Sequence, residues 1–196
     1  MVSEEIYNQA LTAIKGAKQV AIMLPEEVSI DILGSAAALQ MAIKSLDNTA
    51  LIFSANKTIP KPAFFKEPPV VQASVTGIMD QFAVKISTTH AKPGELRYEM
   101  EPDAVVIYLK AKEGQFSEGD VSVVPSSAQK FDLLITLGVS SLEQLGGLYT
   151  EQPNAFFGVP MVNIDTNPAN EYFAPVNVVS VTDSGVSEVV MELLTQ

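Results

Sequence analysis

The chain has 196 residues, 47% hydrophobic and 18% charged, enough for one domain to bury a full core without disulfides or metal. Cysteine is absent, which excludes a disulfide framework, a thiolate nucleophile and a thiolate metal site. The 23 acidic against 12 basic side chains give a net charge of −11, which repels phosphate backbones and disfavours a nucleic-acid partner.

No basic patch offsets that charge. Lys57, Lys61 and Lys66 are spread through a proline-containing stretch, and Lys85, Lys110 and Lys112 sit among glutamates. Glu4 and Glu5 stand where a signal peptide needs basic residues, and the most apolar stretch, 32–43, is interrupted by Gly34, Ser35 and Gln40. A cytoplasmic protein with no membrane association is expected.

Ser3-Glu-Glu-Ile6 carries a helix cap followed by acids in the first turn. Ile6, Ala10, Ala13, Ile14 and Ala17 then recur at helical spacing. Residues 19–24, Gln-Val-Ala-Ile-Met-Leu, form a short apolar run of the kind buried on both faces of a parallel sheet. A second helix is predicted from about Ser29 to Leu46, with Gly34, Ser35 and Ala36 to Ala38 allowing close approach to the sheet, and a second buried strand follows over 49–53. Strand, helix and strand make a right-handed βαβ unit.

Residues 54–74, with Pro60, Pro62, Pro68 and Pro69, are read as an ordered loop. From Gln81 the period becomes two: Phe82, Val84 and Ile86, then Leu96, Tyr98 and Met100, then Val105, Ile107 and Leu109. An antiparallel meander over about 81–112 is expected, with turns at Lys92-Pro-Gly94 and Glu101-Pro-Asp103. Buried strands return at 131–137 and 159–164, a short helix starts at Ser140 and stops at Gly146-Gly147, and a last helix spans 184–194. The pattern predicts one α/β domain over 1–196: a doubly wound, Rossmann-like, mostly parallel sheet with helices on both faces and the meander inserted. In such sheets the ligand site lies beyond the carboxyl ends of the strands, here 24–31, 138–141 and 165–170.

Residues 159–173, Val-Pro-Met-Val-Asn-Ile-Asp-Thr-Asn-Pro-Ala-Asn-Glu-Tyr-Phe, resemble the segment that names the DHH-type (RecJ-like) phosphoesterases. There an apolar strand ends in Asp-His-His followed by Pro, a small residue, Asn and an aromatic. Residues 24–35 resemble the first motif of that family, His-x-x-x-Asp-x-Asp leading into Ala-Leu-Gly-Ser. Residues 131–146 resemble the strand that ends in a metal-binding Asp before a Ser-Leu-x-x-Leu-Gly helix. Residues 176–194 resemble the Asn-Leu-Val-Asp stretch and final helix. The likeness covers about two thirds of the chain, at its two ends.

That resemblance implies metal-assisted phosphoester hydrolysis, in which His and Asp side chains hold Mn²⁺ or Mg²⁺. Carried over residue by residue, however, it finds the ligands replaced. Pro25 stands for the first-motif His, Ser29 for its first Asp, Gly138 for the strand-end Asp, Thr166 and Asn167 for the two His, and Ser180 for the last Asp. Only Asp31 and Asp165 survive, and no Gly-Gly-Gly-His motif of the family's substrate-binding domain occurs before Gln196. The expectation is therefore no catalytic residue and no cofactor, the alternative being weakly bound Mn or Mg on Asp31 and Asp165.

Each residue also has a structural reading. Asp31 fits a cap at the start of its own helix, residues 165–168 fit an Asx-type turn, Glu26 and Glu27 fit solvated loop acids, and His90 fits a surface loop. The primary function reading is an inactive DHH-family pseudo-phosphoesterase that binds a small nucleotide or a protein, as a homo-oligomer or paired with an active relative. One alternative is metal-dependent hydrolysis of small nucleotides or short oligonucleotides. The other is a structural interaction module that uses the meander edge.

Overall fold

The computed structural model describes residues 2–56, 58–63, 65–73, 83–124, 131–151, 153–156 and 158–196. Phe82 and Lys57 lie outside them. The chain begins with α1 (Glu4–Gly16), β1 (Gln19–Met23), α2 (Ile30–Ser45), β2 (Thr49–Phe53) and β3 (Val71–Gln72). Four strands follow: β4 (Ala83–Ile86), β5 (Ala91–Met100), β6 (Val105–Gly114) and β7 (Val121–Val124). The chain ends with β8 (Leu133–Leu137), α3 (Gly147–Thr150), β9 (Met161–Asp165), β10 (Val176–Val179) and α4 (Val186–Thr195). Two compact units result: Met1–Met79 with Ala128–Gln196, and Asp80–Ser127.

The first unit is built on a six-stranded sheet in the order β10-β9-β8-β1-β2-β3, with every neighbouring pair parallel. Strands step outward from β1 to β3, then restart on the other side of β1 with β8. The switch point falls between the carboxyl ends of β1 and β8. Part of the proline-rich connection extends the sheet, because Val71 and Gln72 pair with Ile52 and Phe53.

Both sheet faces are covered, which is why these strands read as unbroken apolar runs. Val20, Ile22, Ile135, Val162 and Ile164 face α1, α2 and α4, which contribute Tyr7, Ile14, Leu33, Leu39, Val189 and Leu193. Met23, Phe53, Leu134 and Met161 pack with Leu145, Leu148 and Phe156 from the short helical turns of 142–156. The long helices thus share one face and the short ones cover the other. On α2, Ser35 and Ala36 are buried, but Gly34 faces open space: a Cβ there would meet nothing within 4 Å.

Helix α1 is fixed by Ser3, whose side chain accepts from the Ile6 N–H, and by a contact to the last helix in which the Tyr7 hydroxyl donates to Glu192 Oε2 at 2.5 Å. Burial, the Glu192 hydrogen bond and the negative charges of Glu192 and Asp183 push the Tyr7 phenol well above its ordinary value. The folded state then keeps this proton while the unfolded chain releases it near pH ~10, so stability present below that pH is lost as pH rises above it. Urea midpoints compared at about pH 8 and 11 should fall with pH in the wild type, and the fall should be shallower in Tyr7→Phe. Equal slopes would contradict the assignment.

In the second unit the antiparallel strands form two ribbons, β4 with β7 and β5 with β6, in place of a continuous meander. The partner of β4 is a strand the sequence reading left out, Val121–Val124. The turn at Glu101 closes β5–β6 as expected, the Glu101 N–H donating to the Ala104 carbonyl at 2.8 Å. Lys92-Pro-Gly94, by contrast, lies inside β5, where the pairing register shifts on both sides of Pro93. The missing N–H of proline is accommodated there as a bulge, so this is not a turn. Asp120 accepts from the Ser117 N–H at 2.9 Å, the Ser117 hydroxyl at 2.8 Å and the His90 ring at 3.2 Å. The Ser117 backbone bond first, then His90, holds its carboxyl below the usual range.

Candidate functional site

A cleft of about 520 Å³ opens beyond the carboxyl ends of β8 and β9, against the first turns of α2 and α4. The fold brings Ser29, Asp31, Gly138, Asp165, Thr166 and Asn167 to its wall. Pro25 is buried in the loop after β1 and lines an adjoining pocket of about 360 Å³ with Glu26 and Glu27, its carbonyl accepting from the Ser54 hydroxyl at 3.1 Å. Ser180 is set apart. It follows β10, is buried, and donates its N–H to the Asp165 carbonyl at 3.0 Å, with its hydroxyl 3.3 Å from Thr182 Oγ1.

Ser29 is the N-cap of α2, its hydroxyl accepting from the Ile32 N–H at 3.1 Å. Asp31, in the first turn, does not cap its own helix, as the sequence suggested. Its carboxylate reaches across the sheet ends to α4: Oδ2 accepts from the Val186 N–H at 2.8 Å, and Oδ1 from the Ser187 N–H at 3.3 Å and from the Ser187 hydroxyl. An anion thus sits on the positive end of α4, where the first N–H groups have no intrahelical partner. A Cβ on Gly185, at the entry to that helix, would lie 2.9 Å from both Asp31 carboxylate oxygens, so a side chain there would have to displace the carboxylate.

Asp165, at the end of β9, is 3% exposed and lies in a network of buried polar groups. Its Oδ2 accepts from the Ser140 hydroxyl at 3.0 Å and from Asn170 Nδ2 at 2.7 Å, and its Oδ1 from the Thr166 N–H at 2.8 Å. Asn170 also donates to the Val139 carbonyl and accepts from Asn163, which in turn accepts from Thr136 at 2.8 Å. Thr136 and Asn163 are register partners on β8 and β9 and lie fully inside the core. A carboxylate can be held there because every bond comes from a fixed donor. The Asx turn is also present, centred on Asn167, whose side chain accepts from the Ala169 N–H at 2.9 Å.

This donor set does not fit a divalent-metal centre. Pro25 and Gly138 offer no side-chain ligand, both Asp31 oxygens are occupied by α4, and both Asp165 oxygens accept from neighbours. Among the described residues no three His, Cys, Asp or Glu side chains converge to hold an ion. His90 belongs to the second unit, is 74% exposed and pairs with Asp120. Nor does the cleft suit a phosphate directly: Asp31, Asp165 and Glu188 supply its charged lining, Glu26 and Glu27 that of the adjoining pocket, and neither contains Lys, Arg or His.

No protein-family model matches the chain, and no curated protein matches it. Among solved structures, the fold is similar to that of an exopolyphosphatase-related protein from Bacteroides fragilis. The two agree with a TM-score of 0.58 over 100% of this chain, at 12% sequence identity, which is a likeness of fold. This chain spans 44% of that protein's length. Among the described residues no helix is long and apolar enough to cross a membrane.

Several residues that shape the cleft were missed in the sequence. Ser140 and Asn170, inside the 138–141 and 165–170 loops but given no role there, hold Asp165, with Asn163 bonded to Asn170 behind them, and Val186 and Ser187 hold Asp31. One signal was available: Thr136 and Asn163 each interrupt an otherwise apolar strand, and buried polar groups need partners.

Proposed function

We propose that the chain is a DHH-type phosphoesterase scaffold that does not hydrolyse phosphoesters and serves as a protein-binding module. One observation carries this reading: the two carboxylates that match family metal ligands, Asp31 and Asp165, are each held by donors from their own chain. The shared fold with an exopolyphosphatase-related protein supports descent from phosphoester chemistry, as does the meeting of six motif positions at one cleft. The acidic lining favours a protein ligand over a nucleotide, because a phosphate would face three carboxylates without a compensating cation. An acidic, cysteine-free chain also fits the cytosol.

The test is hydrolysis of a chromogenic phosphodiester and of a dinucleotide by purified protein with Mn²⁺ or Mg²⁺. The expected rate equals that of metal in buffer. Turnover that disappears in Asp165→Asn would reinstate the metal-dependent phosphodiesterase reading.

A further inference from the structure

We propose that the open edge of β10 and the groove beside it dock an extended, basic segment of another protein, which adds to the six-stranded sheet as a further strand. Among the described residues β10 pairs with β9 alone, in parallel. The Ser180 N–H, donating to the Asp165 carbonyl at 3.0 Å, fixes the phase of that pairing. Main-chain groups alternate in direction along a strand. Val176, Val178 and Ser180 therefore turn theirs to β9, and Asn177 and Val179 turn theirs outward. Among the described residues no hydrogen bond takes up the N–H or carbonyl of either outward residue, since Asn177 bonds Tyr172 and Ala174 through its side chain only.

Proteins blunt such edges with short strands, lysine, proline or a covering element. The opposite edge, β3, is two residues long. In contrast, β10 has four, Val-Asn-Val-Val, without a charge or a proline and rich in the β-branched residues that pair well. Helix α1 packs against β10, and a groove of about 820 Å³ lies where they meet, lined by α1 from Glu4 to Ala13 and by Val176. Over that stretch the helix rises about 14 Å, room for about four residues of an added strand.

Charge chooses the occupant. Glu4 and Glu5 are the charged residues of the lining, both exposed, and among the described residues neither has a cation partner. A lysine or arginine on the incoming strand meets them, while its main chain pairs with Asn177 and Val179. A second copy cannot supply that cation from its own edge, because residues 174–181, Ala-Pro-Val-Asn-Val-Val-Ser-Val, carry no charge. Its net charge of −11 also opposes the approach.

This partner class rests on the protein-binding reading but uses a surface other than the cleft, so the hydrolysis assay judges the cleft however the edge behaves. Random dodecapeptides displayed on phage are selected against the full chain, and the most enriched sequence is measured as a synthetic peptide by fluorescence anisotropy. Lys or Arg beside alternating Val, Ile or Thr should be enriched. Val179→Pro should weaken that peptide at least ~10-fold, because it removes an outward N–H and leaves the ladder to β9 intact. Glu4→Lys with Glu5→Lys should weaken it by a similar ~10-fold, and these exposed positions keep the test decisive should the proline variant fail to fold. A library without enrichment, enrichment of acidic peptides, or a peptide that either variant binds as well as the wild type overturns the proposal. A dimer of the full chain at about 100 µM that Val179→Pro dissolves also overturns it, in favour of a second copy on the edge.

Discussion

Replacing Asp165 with alanine should lower the free energy of unfolding by about 3 kcal/mol, read as a lower urea midpoint with an unchanged m-value. The carboxylate is 3% exposed, and its removal leaves the Ser140 hydroxyl, the second Asn170 amide hydrogen and the Thr166 N–H without that acceptor. Each orphaned buried donor costs about 1–3 kcal/mol, and water entering from the cleft side recovers part of the total. A metal ligand in an empty centre behaves in the opposite way: its neutralisation relieves repulsion and commonly stabilises the apoprotein. A variant as stable as the wild type would therefore contradict the structural role of Asp165.

Gly138→Asp, which places an acid where the proposed DHH likeness expects the strand-end ligand, should cost about 2–3 kcal/mol and confer no manganese-dependent rise in melting temperature. Gly138 has φ +65°, where a side chain is strained, and its Cβ would lie 2.6 Å from Ile32 Cδ1 and 2.9 Å from Ile32 Cγ1. Ile32 can move, because it is only partly buried, so the strained backbone sets most of the cost. The local conformation at Gly138 thus disfavours any side chain there, an acid included. Melting curves with and without Mn²⁺ check both parts, and a stabilised variant that responds to manganese would contradict them.

The parallel sheet was legible because its strands are buried on both faces, so that 19–24, 49–53 and 131–137 read as apolar runs of strand length. The cleft was legible as well, since the ends of those strands converge at the switch beside β1 whichever side chains they carry. What short-range pattern could not convey was the choice of partner. Asp31 looked like a cap for α2, yet its donors come from Val186 and Ser187, 155 and 156 residues away. Val84 and Ile86 announced a strand, but not that Val123 and Val121 would pair with it after the long excursion through β5 and β6. Pro93-Gly94 carried turn chemistry that a bulge within a long strand accommodates equally well. Asn163, set between Val162 and Ile164, was read as one more strand residue, although it links Thr136 to Asn170 and so to Asp165.

Asp31 and Asp165 tie neighbouring elements together at the cleft where the proposed phosphoesterase likeness would put metal ions, and calorimetric titration of the purified chain with Mn²⁺ tests this most directly. The account predicts no saturable heat up to about 1 mM metal, in the wild type or in Asp31→Asn and Asp165→Asn. Micromolar binding with defined stoichiometry in the wild type, abolished by either substitution, would contradict it.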